Sequence, residues 1–204
     1  MAFLGASAPA SAQDWSQPPR PPAGALPNQA IPPLGRDGRY ATLNQGLSVD
    51  ETSWHVRAAL NVAALGCRDA RERATVAAYN RMIARHGRVL AAADAGVKAG
   101  YRARFGGEWE SAHDRAMTRL YNFFAQPPAQ QGFCAAAQGV LTEAQAVAPQ
   151  DFARFAATAL PRLEAPFTDF YRDYDTYRTA YAAWRGGGAS PALALATIPD
   201  RPRR

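Results

Sequence analysis

The 204-residue chain predicts an all-α fold: an up-and-down helical bundle of five to six helices with one disulfide, an extended Pro-rich N-terminal arm and a flexible basic C-terminal tail. Three observations predict it. Alanine fills 46 positions while β-branched residues are few, which favours helix over sheet. Apolar residues between about Ser48 and Arg185 recur at steps of three, four and seven, the helical period, with no strand-like alternation and no internal repeat. Eight of the sixteen prolines lie within residues 1–33 and none falls between Leu34 and Gln126, so the helix-breaking residues stand outside the long periodic stretch.

The chain begins with residues 1–12, Met1 to Ala12, expected to be the remnant of a secretory signal peptide. Ala10 and Ala12 give the A-x-A pattern before Gln13, while the positive n-region and a longer apolar run that complete such a signal do not precede them. The expectation is a start placed late or a trimmed leader; the alternative is a plain alanine-rich start. Residues 13–47 read as an extended, polyproline-like arm, because Pro18-Pro19-Arg20-Pro21-Pro22 and Pro32-Pro33 exclude helix.

The body is expected at 48–185. Helix one starts near Thr52 or Ser53, either of which caps it, and runs to Leu65 before Gly66. Helix two spans about Ala70 to Phe105, with Val76, Tyr79, Ile83, His86, Leu90, Val97 and Tyr101 in an arc of about 100°. Gly106-Gly107 ends it. Helix three runs from about Glu110 to Ala125 and stops at Pro127-Pro128, and helix four covers about Gly132 to Val147. Helix five covers Gln150 to Leu160, Pro161 breaks it, and helix six follows from Pro166 to Arg185. Gly186-Gly187-Gly188 stops the last helix, and 186–204 is read as the tail.

Cys67 and Cys134 are the two cysteines, and in an exported chain they read as one disulfide closing a 67-residue loop. Antiparallel neighbours would bring the end of helix one and the start of helix four to the same end. The spacing excludes a thioredoxin motif, a c-type haem attachment and a cysteine-built zinc site. The expected location is periplasmic or secreted. No run of roughly 18 apolar residues exists, so no helical membrane span is expected.

Three histidines are present, His55, His86 and His113. Glu110-x-x-His113 matches one element of a di-iron carboxylate bundle, but no second copy exists, so the pair is only a weak metal candidate. Asp94 projects into the predicted buried arc of helix two, where a carboxylate needs a partner or a shifted pKa. A metal- or cofactor-binding bundle built on Glu110, His113 and Asp94 is therefore the second functional reading. A small enzyme with an unrecognised site, for instance His86 beside Asp94, is the third.

The leading reading rests on surfaces. Residues 68–104 carry nine cationic and three anionic side chains, matching the formal charge of +6 for the whole chain. Arg81, Arg85 and Arg88 project opposite the apolar arc, within about 60° of one another, a ridge suited to an anionic envelope component or an envelope protein. Tyr171, Tyr174, Tyr177, Tyr181 and Trp184 form an aromatic stripe on helix six, read either as a binding surface or as the seam closing the bundle. There is no G-x-S-x-G elbow, Walker loop, G-x-G-x-x-G or H-E-x-x-H, and no nucleic-acid recognition motif. The chain has the general look of small exported helical proteins of Gram-negative bacteria. The sequence thus predicts an exported interaction protein of the bacterial cell envelope with no catalytic motif, no cofactor and no nucleic-acid partner.

Overall fold

The computed structural model describes residues 17–186. The expected signal remnant at 1–12 and all of the tail beyond Gly186 lie outside the described residues. The described part is all-α: α1 (Val49–Gly66), α2 (Glu72–Phe105), α3 (Trp109–Phe124), α4 (Gln130–Ala144) and α5 (Phe152–Arg185), with short 3-10 turns at Gly106–Glu108, Pro127–Ala129 and Pro149–Asp151. An isolated antiparallel bridge between Leu34 and Tyr40 is the one β-type pairing among the described residues. The described residues fall into two compact units, one of Ala23–Arg172 and one containing 17–22 and 173–186.

Helix α1 begins at Val49, three or four residues earlier than the Thr52 or Ser53 start expected. Ser48 caps it, its Oγ accepting from the Glu51 amide at 3.1 Å while the Ser48 amide donates to the Glu51 carboxylate at 2.9 Å. This reciprocal capping box satisfies two amide donors that the helix itself leaves without partners. Helix α2 stops where predicted, and Gly106 takes φ +53°, a left-handed conformation that glycine adopts without a steric penalty. α1 and α2 run antiparallel, since Glu51 at the start of α1 meets Arg104 at the end of α2 at 2.8 Å. Gly96 permits that approach: a Cβ there would lie 1.9 Å from an Asp50 carboxylate oxygen.

The buried face of α2 is Thr75, Tyr79, Met82, His86, Leu90, Ala93 and Val97. The predicted arc is therefore turned slightly, and Val76, Ile83 and Tyr101 are half-buried at its edge. Asp94 belongs to that edge too. It is half-exposed and pairs with Lys98 at 2.6 Å, which corrects the expectation of a buried carboxylate. Ala93 and Val97 occupy the buried positions instead, because burial is centred one residue away from Asp94.

The second correction concerns α5. The predicted break at Pro161 does not occur: residues Phe152–Arg185 form one helix with Pro161 and Pro166 inside it, replacing the two expected helices. Each proline lacks the amide that would bond four residues back. The carbonyls so released are those of Ala157 and Arg162, both exposed residues, where solvent can supply a donor. Meanwhile Phe152, Ala156, Ala159, Leu160, Leu163, Phe167, Phe170 and Tyr171 keep an unbroken buried stripe across both prolines. Packing of this stripe outweighs two lost backbone bonds.

The core gathers where α3, α4 and α5 meet. Phe167 lies 4.8 Å from Phe123, 5.7 Å from Phe124 and 5.3 Å from Phe133, ring centre to ring centre. Cys67, just past α1, is bonded to Cys134, the fifth residue of α4, with the Cα atoms 5.7 Å apart. The arm is not extended throughout. Tyr40 is buried and meets Tyr171 edge-on at 5.5 Å, so 34–47 forms a strap held against α5.

Candidate functional site

The solvent face of α2 carries the predicted ridge. Arg81, Arg85 and Arg88 are all exposed, and the small residues Ala77, Ala84, Ala91 and Ala95 between and beyond them are exposed as well. From Arg73 to Ala93 this helix holds no acidic residue. Arg85 is partly committed, its Nε donating to the Val147 carbonyl at 2.9 Å. Arg81 and Arg88 make no ion pair or hydrogen bond with any described residue and extend freely into solvent. The positive charge of this face is therefore not consumed within the fold.

The aromatic stripe divides. Tyr171 is 1% exposed, donates to the Gln126 side chain at 3.0 Å, and has its hydroxyl pKa raised by burial despite that bond. Tyr174 is also buried. These two are core rather than accessible surface. Beyond them Tyr177, Tyr181 and Trp184 are half-exposed and form a ladder with ring centres 5.7 Å apart at each step.

The metal candidates do not assemble. Among the described residues no group of three or more His, Cys, Asp or Glu side chains converges, so Glu110, His113 and Asp94 form no such cluster. His113 instead stacks edge-on against Tyr101 at 5.3 Å and approaches Asp114 at 3.5 Å, while Glu110 is exposed. His86 is fully buried, its Nε2 donating to the Ala144 carbonyl at 3.0 Å and its ring lying 4.7 Å from that of Phe152. It is a packing residue of the α2–α4 contact. Asp94, spent on Lys98, is not its partner.

No protein-family model, curated protein or solved structure matches the chain.

One polar constellation was not visible in the sequence. Glu164 of α5 accepts hydrogen bonds through one oxygen from the Thr42 hydroxyl and, at 3.1 Å, from the Asn44 amide. With its NH2 group spent on a carboxylate, Asn44 turns its carbonyl to His55 of α1, 2.8 Å from Nδ1. A carbonyl only accepts, so His55 carries its proton on Nδ1 and leaves Nε2 bare. Burial pushes the imidazole pKa down to about 4, against the Glu51 charge that raises it, so the ring is neutral at pH 7. Desolvation raises the Glu51 pKa, but its hydrogen bonds to Ser48 and the Arg104 charge outweigh that and hold the carboxyl below its ordinary range. Two clefts flank the strap, one of about 440 Å³ that Glu164 and Tyr40 line and one of about 230 Å³ that His55 and Glu51 line. Sequence spacing carries no signal for this chain of bonds, because its members are separated by 11 and 120 residues.

Proposed function

We propose that the chain is an exported binding protein of the bacterial cell envelope, a disulfide-closed helical bundle that works by presenting a cationic face to an anionic lipid surface. The observation that carries the reading is the solvent face of α2, where exposed arginines alternate with exposed alanines and no acid intervenes from 73 to 93. Alanine leaves the guanidinium groups proud of the helix, able to reach lipid phosphates without steric obstruction. Each basic side chain near an anionic leaflet contributes about 1 kcal/mol of attraction, enough in sum for reversible attachment without an inserted segment. Among the described residues no helix is long and apolar enough to cross a membrane, which agrees with peripheral attachment. The Cys67–Cys134 bond supports the exported location, since such bonds persist in oxidising compartments. His55, whose pKa burial lowers to about 4, is a weak proton acceptor at neutral pH.

A photo-crosslinking amino acid at exposed Ala84, between Arg81 and Arg88, tests the partner directly in cells of the native host. Covalent adducts with phospholipid are the expected result. Adducts confined to one protein would replace the lipid surface by an acidic protein partner.

A further inference from the structure

We infer that the smaller cleft beside the strap is a binding site for a small hydroxylated monoanion of the α-hydroxy-acid type, with His55 accepting from the ligand hydroxyl and Arg119 facing its carboxylate. The cleft is closed by four parts of the chain: the strap (Leu43 to Leu47), α1 (Glu51, His55), the end of α2 (Tyr101, Arg104) and α3 (Met117, Arg119). Its volume of about 230 Å³ lies below the 300–1,000 Å³ typical of sites for drug-sized ligands, so it selects a ligand of a few carbons.

Two unmet needs define the ligand. The first is an acceptor in want of a donor. His55 is 7% exposed and its Nδ1 is taken by Asn44. Its Nε2 has no partner among the described residues and is not one of the wholly enclosed orphan atoms, which are His86 Nδ1 and His113 Nε2. It thus keeps some access to solvent, and His55 is one of the residues that line the cleft. The bond chain from Glu164 through Asn44 fixes both ring orientation and tautomer, so this lone pair is preorganised rather than one of two alternatives.

The second need is a charge. Arg104 is neutralised by Glu51 at 2.8 Å, whereas Arg119 makes no ion pair with any described residue. The charged side chains of the lining, Glu51, Arg104 and Arg119, thus carry one positive charge in excess, which favours a monoanion over a neutral ligand. Leu43, Leu47 and Met117 supply the apolar wall for the carbon skeleton. The arginines of the outer α2 face do not line the cleft, so this inference stands or falls apart from the lipid-binding proposal.

Glycolate and lactate against acetate and propionate, titrated into full-length protein by calorimetry at pH 7, provide the test. Side-chain 15N spectra of His55 are recorded in parallel. The hydroxy acids should bind about tenfold more tightly than their hydroxyl-free counterparts, the factor that one hydrogen bond to a buried acceptor supplies. They should also move the Nε2 resonance upfield, as a bare nitrogen does on gaining a donor. Arg119→Gln, at an exposed position without a structural partner, should weaken both acid classes alike while leaving the His55 spectrum of the free protein unchanged. Equal affinity for acids with and without the hydroxyl, or an unmoved Nε2 resonance at saturation, would overturn the inference. So would hydroxy-acid binding that Arg119→Gln leaves intact.

Discussion

The two faces of α2 share little but alanine and obey different rules. On the inner face every position from Thr75 to Val97 meets another helix, and residue size follows the space available. On the outer face only Arg85 has a partner within the fold, the Val147 carbonyl, yet the positions are not a mixture of charges. Exposed helical faces of ordinary bundles intersperse acids with bases, because opposite charges three or four residues apart support the helix. α2 forgoes that support for six turns and uses it only beyond them, where Asp94 pairs with Lys98. On the proposed function, this uniform sign serves a partner outside the fold.

Variants that separate packing from charge sharpen this contrast. Leu90→Ala on the inner face should cost roughly 2–5 kcal/mol in urea denaturation, since Leu90 is 4% exposed and its removal leaves a cavity. Its vesicle binding, measured well below the unfolding transition, should be unaltered. Replacing Cys67 and Cys134 by serine should cost about 4 kcal/mol, the loop-closure value for 67 residues, and the loss should be reproduced by reductant on the parent protein. A smaller loss from the double serine variant would mean that the unfolded chain keeps residual structure without the bond.

Charge inside the fold should behave unlike charge on the outer face. His55 takes its proton near pH 6.5 in the unfolded chain but only near 4 in the folded protein. The unfolded state thus binds the extra proton between those values, and stability falls as pH is lowered from 6.5, with the loss complete below 4. Glu51 and Glu164 are the acids around this ring and its partner Asn44, and Arg104 and Arg119 the bases lining the same cleft. From pH 7 to pH 5 the His55 contribution amounts to about 2 kcal/mol, and His55→Gln should flatten the curve over that interval. Chemical denaturation at several pH values decides this, and an equally steep curve for the variant would assign the slope elsewhere. Ser48→Ala, removing the capping box of α1, should cost about 1 kcal/mol and shorten α1 by hydrogen exchange at its first turn.

Much of the fold was legible because helical periodicity and glycine or proline punctuation are local signals. The end of α2 at Gly106, the turn at Pro127 and the inner residues Tyr79, His86, Leu90 and Val97 all follow from neighbours within a few positions. The capping box was equally local, as Ser48-x-x-Glu51, but Thr52 and Ser53 offered competing caps closer to the first strongly buried residues. Pro161 misled because a proline's cost is local whereas the benefit that overrides it, burial of Phe167 against Phe123 and Phe133, comes from elements over thirty residues away. Asp94 misled through a small error in helical phase, one residue being enough to move a side chain from the core to its rim. The polar chain Thr42–Glu164–Asn44–His55 left no trace in spacing, since it exists only once the strap lies on α5.

The most direct measurement is co-sedimentation of the protein with phosphatidylglycerol vesicles across a salt series, comparing the parent with Arg81→Glu/Arg88→Glu. Both arginines are exposed and without partners among the described residues, so the variant should keep its stability within about 0.5 kcal/mol. The parent should bind at low salt, release as ionic strength rises, and ignore phosphatidylcholine, while the reversed variant should lose at least tenfold in partitioning. Undiminished binding by a folded reversed variant, or binding indifferent to salt and headgroup, would contradict the assignment of the outer face of α2 as the working surface of the protein.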